Sequence, residues 1–254
     1  MIIAQISDSH IALDGPDASR RISDLELTLV DINTLDPLPD AIVHTGDITH
    51  NGREHEYARV VAILANARVP VYVLAGNKDN RGNLRAAFSR CGYMEPGFAF
   101  IQYAIDRYPV RLIALDTVSE GNKGEFCAER LRHLTNLVEA ETTKPIAIFT
   151  HHPPFVVTEG PEPFHFESQH SASMLSSALR RSGRVVAILS GHVHRAAWGA
   201  VGDIPAMVMP AIATTLRHGH YPAHLKSQPV YHVHRFDPIW GFSTETRIAA
   251  QKPG

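Results

Sequence analysis

Short apolar runs alternate with longer stretches of helical periodicity along most of the chain. Residues 2–6, 41–44, 69–75, 112–115, 146–149 and 185–189 are short and rich in Val, Ile and Leu, the pattern of strands buried on both faces. Between them, residues 23–35, 53–67, 84–90, 128–141 and 172–181 read as helices. In the second of these, Tyr57, Val60, Val61 and Leu64 fall three or four apart and would cover one helical face. Strand, helix and strand in succession predict a layered α/β fold with much parallel pairing.

After Gly191 the pattern changes. Residues 206–209, 230–236 and 240–248 read as strands with no helix between them, so residues 193–254 are expected to form a β-rich C-terminal part of one domain spanning 1–254. Residues 99–105 and 110–115 read as a hairpin turning at Arg107-Tyr108-Pro109. Residues 158–171 carry Pro, Glu, Phe and His without periodicity and are expected to be a loop of the kind that often serves as a lid.

Composition narrows the function classes. The 254 residues hold 24 Lys+Arg against 26 Asp+Glu, a net charge of −2, with 44% hydrophobic and 20% charged residues. That balance lacks the basic footprint of a protein that grips nucleic-acid backbone or acidic membrane. No apolar stretch is long enough to cross a bilayer, and residues 1–6 run straight into Ser7-Asp8 without a basic leader, so a cytoplasmic location is expected. Cys91 and Cys127 are too few for a disulfide framework and are expected to be buried thiols. Arg20-Arg21 and Arg180-Arg181 read as solvated helix-end charges.

The anomaly is 16 His, and their positions matter more than their number. Metal-type ligands follow directly on the predicted strands: Ser7-Asp8-Ser9-His10, Thr45-Gly46-Asp47, Gly76-Asn77-Lys78-Asp79, Thr150-His151-His152-Pro153 and Gly191-His192-Val193-His194. In open α/β sheets ligands bind outside the carboxyl ends of the strands. Each fragment alone has a bland explanation: an Asx turn, a Gly-Asn turn, a rigid Pro loop, a packed histidine pair. Five in register at strand ends point instead to one convergent site. Imidazole and carboxylate without thiolate suit borderline divalent ions such as Mn, Fe, Co or Zn. Two Asp, four His and one Asn exceed the four ligands of a closed structural site and are enough for two ions. Two such ions can activate water and clamp both oxygens of a displacement at phosphorus.

The order Asp8-x-His10, Gly46-Asp47, Gly76-Asn77, His151, Gly191-His192-Val193-His194 resembles the calcineurin-like metallophosphoesterases over residues 8–194. The likeness is greater to the bacterial class III cyclic-nucleotide phosphodiesterases and related glycerophosphodiesterases. The resemblance implies a four-layer α-β-β-α sandwich of two mixed β-sheets flanked by helices. It implies that Asp8, His10 and His194 hold one metal, that Asn77, His151 and His192 hold the other, and that Asp47 bridges them along with a hydroxide nucleophile. Asp47, Asn77, Lys78 and His152 then form the catalytic set, with Asp79 and residues 158–171 near the substrate. The family usually has His directly after the Asn, and here that position is Lys78. Lys keeps the charge that offsets a phosphoryl oxygen, but its ordinary pKa of about 10.4 makes it a poorer general acid than His.

His232 and His234 alternate on a predicted strand and are expected to be a packed or hydrogen-bonded pair. His218 and His220 lie in a loop that could border the metal cleft. The expected function is hydrolysis of a small phosphodiester, a 3′,5′-cyclic nucleotide ahead of a glycerophosphodiester, with two divalent metal ions as cofactors. No stable nucleic acid or membrane partner is expected; a homo-oligomer is plausible by analogy. A nuclease on the same core is weakened by the neutral charge and the lack of a basic stripe, and a protein phosphatase by the lack of an added domain to recruit a protein substrate. A non-catalytic interaction module would have no need to keep seven ligand positions. P-loop, dinucleotide Gly-rich, zincin and nucleophile-elbow motifs are missing.

Overall fold

The structure is a computed structural model that describes residues 1–249; the last residues of the expected domain, 250–254, lie outside the described residues. Eleven strands form two mixed sheets. The first, in the order β11-β10-β1-β2-β3, contains β1 (Ile2–Ile6), β2 (Ala41–His44), β3 (Val71–Val73), β10 (Val230–Asp237) and β11 (Gly241–Ile248). The second, in the order β4-β5-β6-β7-β9-β8, contains β4 (Tyr103–Ile105), β5 (Arg111–Leu115), β6 (Ile146–Thr150), β7 (Val185–Ser190), β8 (Ala197–Val201) and β9 (Ile204–Val208). The helices are α1 (Ala18–Ile32), α2 (Glu54–Leu64), α3 (Arg81–Ala87), α4 (Ala128–Glu139) and α5 (Gln169–Arg181).

Period-two alternation along the second sheet explains the layering. Leu112, Ala114, Ala147, Phe149, Ala187 and Leu189 join the core shared with the first sheet. Their neighbours Ile113, Leu115, Ile146 and Ile148 turn the other way, onto Leu134 and Val138 of α4 and Leu175 and Leu179 of α5. Both faces are covered, which is why these strands read as unbroken apolar runs. The first sheet is covered likewise by Leu25, Leu29 and Ile32 of α1 and by Tyr57, Val60 and Ile63 of α2. The result is the expected four-layer sandwich.

The sequence pattern located ten of these strands, and the eleventh, β8, escaped it. Its middle residues Trp198, Gly199 and Ala200 are exposed, so no apolar run marks it; it exists because it pairs antiparallel with β9 around the Gly202 turn. The C-terminal strands close the first sheet: β10 lies antiparallel to β1, with His234 opposite Ile3 and His232 opposite Gln5.

Three expectations are corrected. Helix α5 begins at Gln169, because the Ser168 hydroxyl caps it by accepting from the Ser171 N–H, and its polar first turn hid that start. Arg20 and Arg21 are not free solvated charges, although Arg20 stays partly exposed. Arg21 is buried and reaches the His10 carbonyl and Thr215, while Arg20 binds Asp24, Thr214 and the Ser227 carbonyl. Cys91 is exposed and Cys127 half-buried, both as free thiols. No helix among the described residues is long and apolar enough to cross a membrane.

Candidate metal centre

The carboxyl ends of β1, β2 and β3 from one sheet meet those of β6 and β7 from the other, and each strand runs into a loop that carries a candidate ligand. These loops are laced to one another. The Asp8 N–H donates to the Gly46 carbonyl (3.0 Å), the His10 N–H to the Asp47 carbonyl (2.9 Å), and the Gly191 N–H to the His151 carbonyl (3.1 Å). The His192 N–H donates to the Asp8 carboxylate (3.1 Å) and the Lys78 N–H to Asp47 Oδ1 (2.8 Å).

Backbone strain concentrates in the same loops. Asp8, His10, Asp47, His192 and His194, with φ between 45° and 74°, are the only non-glycine residues in the left-handed region among those described. Such conformations cost on the order of 1–3 kcal/mol each and persist where the surroundings over-determine them, which is typical of functional sites. Gly76 is required for a different reason: a Cβ there would overlap the main-chain nitrogen and the carboxylate of Asp47.

Side chains fall into two groups that share Asp47. In the first, His10 Nε2 lies 3.1 Å from His194 Nε2 and 3.3 Å from Asp47 Oδ2, and His194 Nε2 lies 3.4 Å from Asp8 Oδ1. In the second, His151 Nε2 lies 3.1 Å from Asn77 Oδ1 and 3.4 Å from Asp47 Oδ1, and His192 Nδ1 lies 3.1 Å from Asn77 Oδ1. Asp8, His10, Asp47 and His194 are close enough to hold one ion, and His151 and His192, with His152 packed beside them, lie close enough together to share a second. Tautomers follow from the outer nitrogens. His151 Nδ1 faces the Thr45 carbonyl at 2.8 Å and His194 Nδ1 faces the Leu216 carbonyl at 3.1 Å. A carbonyl only accepts, so each ring carries its proton there and turns the lone pair of Nε2 inward. Lone pairs and carboxylate oxygens thus converge with few protons between them, an arrangement that a cation fits.

Without a cation, protons compete for the same atoms. Burial pushes the Asp47 carboxyl up to about 7, and the nearby Asp8 and Asp79 push in the same direction. Burial, then the surrounding imidazoles, hold His10 and His192 well below their usual range, as neutral rings. Burial opposes the charged form of Asp8, but the hydrogen bond and charge of His194 outweigh it and lower the carboxyl. His194 is raised in turn, the Asp8 contact overcoming its burial. The donor set of four imidazoles, two carboxylates and one amide oxygen suits borderline divalent ions.

Other expected residues sit differently. His152 is fully buried, with Nδ1 2.9 Å from Thr117 Oγ1 and Nε2 3.2 Å from the Asn122 carbonyl. Both ring nitrogens are spent on the protein, so His152 has no free atom for substrate and serves as a wall for His151 and His192. The Asp79 carboxylate is likewise engaged by the protein. It accepts from the Ile48, Thr49 and Gly76 N–H groups and from the Thr49 and Tyr57 hydroxyls, locking the β2 and β3 loops together. Lys78 is exposed. His218 is exposed and stacks on His194 at 5.7 Å between ring centroids, bordering the cleft, while His220 is exposed.

Two neighbours escaped the sequence pattern. His50 brings Nδ1 to 3.5 Å from His10 Nδ1. His165, from the 158–168 loop, packs edge-on to His192 at 5.1 Å with its buried Nε2 unpartnered. Neither follows a strand, so neither carries the signal that exposed the others.

Known proteins share this arrangement of strands and loops. The calcineurin-like phosphoesterase family model matches residues 1–196. The chain belongs to that family. Among curated relatives, it is 30% identical to a probable glycerophosphodiester phosphodiesterase of Arcobacter nitrofigilis, over 100% of this chain and 95% of that protein. It is 26% identical to a probable cyclic nucleotide phosphodiesterase of Rhodopseudomonas palustris, over 90% of this chain and 86% of that protein. In fold it is similar to a dimetal phosphatase from Danio rerio, with a TM-score of 0.72, 17% identity, and coverage of 99% of this chain and 97% of that one.

Proposed function

We propose that this phosphoesterase hydrolyses small phosphodiesters with two divalent cations, one held by Asp8, His10 and His194, the other by Asn77, His151 and His192, and both by Asp47. One observation carries the reading: the two oxygens of Asp47 face different groups, Oδ2 toward His10 and Oδ1 toward His151. When bound, such a pair supplies Lewis acidity at the phosphoryl oxygens and an activated water. The chain's own residues supply the geometry. The Lys78 N–H fixes Asp47, and the Thr45 and Leu216 carbonyls fix the rings of His151 and His194. Lys78 and His218, both exposed beside the groups, line the approach for an anionic substrate.

Cyclic 3′,5′-nucleotides are the favoured substrates. Glycerophosphodiesters stand as a second reading, because the relative named for them matches this chain from end to end. Mn, Fe, Co and Zn all suit the donor set. A single domain is supported by the pairing of β10 with β1, and a reducing, cytoplasmic setting by two free cysteines. The deciding experiment strips the protein with chelator, resupplies each metal separately, and assays cyclic AMP, glycerophosphocholine and an aryl diester. Diester turnover restored by metal is expected. Metal-independent turnover, or none with any metal, would refute the reading.

A further inference from the structure

One chain of hydrogen bonds, buried from His234 inward, runs from the C-terminal hairpin to the metal centre. Thr244 Oγ1 of β11 lies 2.8 Å from His234 Nδ1 on β10, and His234 Nε2 lies 2.9 Å from Gln5 Oε1 on β1. The Gln5 amide donates to Thr45 Oγ1 and to the Ser190 carbonyl, both at 3.0 Å. Thr45 opens the loop that delivers Asp47 from the first sheet, and its own carbonyl accepts from His151 Nδ1 at 2.8 Å. Ser190 opens the loop that delivers His192 and His194 from the second sheet. Gln5, Thr45, Ser190 and His234 are all completely buried.

We infer that Gln5 is a positioning residue of the metal centre, fixing the ligand loops of the two sheets relative to each other, and that His234 holds the Gln5 amide in the orientation that does so. The inference rests on the two-cation reading above. Both amide hydrogens of Gln5 point at acceptors in different sheets, which leaves Oε1 for His234 and puts the His234 proton on Nε2. A buried amide is costly unless fully bonded, and Ile3, two residues earlier on the same inward face, shows that an apolar side chain suits that layer. Apolar packing holds two sheets about 10 Å apart with some slack, whereas a ligand constellation needs its members held within about 0.5 Å. Two hydrogen bonds from one side chain supply that tighter constraint. His234 lies beyond residues 1–196, the segment matched by the family model, so a part of the chain outside that segment acts on the metal loops.

Calorimetric titration of the stripped, full-length chain with Mn²⁺ alone separates the two claims. Wild type is expected to bind two Mn²⁺ per chain; fewer than two overturns the two-cation reading itself. Gln5→Met, close in volume but unable to hydrogen-bond both sheets, is expected to weaken the second Mn²⁺ about tenfold in protein shown by circular dichroism to be folded. Unchanged Mn²⁺ affinity beside a lowered Tm means that Gln5 only stabilises the fold, and overturns the inference. His234→Gln keeps a donor for Gln5 Oε1 and is expected to bind Mn²⁺ like wild type, whereas His234→Leu binds more weakly. Should Gln5→Met fail to fold, that pair decides, and equal affinities in the two variants overturn the inference.

Discussion

Two places in this molecule bury histidines side by side, and they differ in every respect that matters for chemistry. At the strand ends, His10, His151, His192 and His194 surround Asp8 and Asp47, and three of the four reach a carboxylate oxygen within 3.4 Å. On β10, His232 and His234 stand 5.7 Å apart between ring centroids with no carboxylate beside them. His234 is satisfied by Gln5 and Thr244, while both nitrogens of His232 lack a partner among the described residues. The β10 pair has ordinary strand geometry, whereas three of the strand-end ligands with backbone strain are histidines. Burial and proximity of imidazoles therefore do not make a metal site. Carboxylates and imidazoles that converge from a strained backbone do.

The strongest way to break this contrast is Asp47→Asn. It removes the one charge that faces both groups, and kcat/KM for a diester is expected to fall on the order of 1,000-fold. The expected Mn²⁺ stoichiometry drops below two in the same titration. His232→Leu should leave both unchanged. A wild-type rate in Asp47→Asn would remove the reason for separating the two regions.

Metal-linked stability sharpens the same contrast. A ligand that binds only the folded chain at 100 times its Kd stabilises by about 2.7 kcal/mol, which is roughly 5–10 °C in a domain of this size. Thermal denaturation of stripped protein with and without Mn²⁺ should show that shift in wild type and in His232→Leu, and lose most of it in His194→Ala.

The β10 pair should add its own share of acid sensitivity to that of the strand-end histidines. Burial lowers His232 from 6.5 to about 4 and holds His234 further below its usual range. The unfolded chain then binds more protons at His232 between those values, so its contribution to stability is full above about pH 6.5 and is lost as pH drops toward 4. For His232 alone the loss approaches about 3 kcal/mol at one pKa unit per 1.36 kcal/mol. Urea unfolding across that range should show His232→Leu flattening the curve relative to wild type by that amount. Parallel curves would mean that His232 is not held neutral.

The site was legible where chemistry follows directly on an apolar run. Asp8, Asp47, Asn77, His151 and His192 all lie within four residues of a strand end, so periodicity located them before any contact was known. What stayed hidden depends on register. Gln5 reads as an interruption in an apolar strand, and its partners Thr45, Ser190 and His234 lie 40, 185 and 229 residues away. Asp79 carries the spacing of a site residue, yet five local donors absorb it. His165 lies in a segment whose course is set by the loop it crosses, where the Gly124 N–H donates to its carbonyl. Charge pairs such as Arg20-Arg21 look solvated until α1 places them over the 214–215 loop.

Lys78 tests how far the strand-end region depends on side chains rather than on backbone. Its N–H donates to Asp47 Oδ1 at 2.8 Å, a contact that any residue except Pro would keep. Its side chain is exposed and makes no hydrogen bond or ion pair among the described residues. Lys78→His therefore leaves the ligand geometry intact while exchanging a permanent cation for a ring that can also donate a proton near neutral pH. Activity is expected to be kept or raised, by less than about tenfold, with Mn²⁺ stoichiometry unchanged. Lys78→Pro should lose activity together with metal, because it deletes the N–H to Asp47 as well as the charge, whereas Lys78→Ala deletes the charge alone and should keep the metal. Complete inactivity of a folded, metal-loaded Lys78→His variant would place the ammonium group itself at the reacting phosphate and show that the exposed rim is as exacting as the buried ligands behind it.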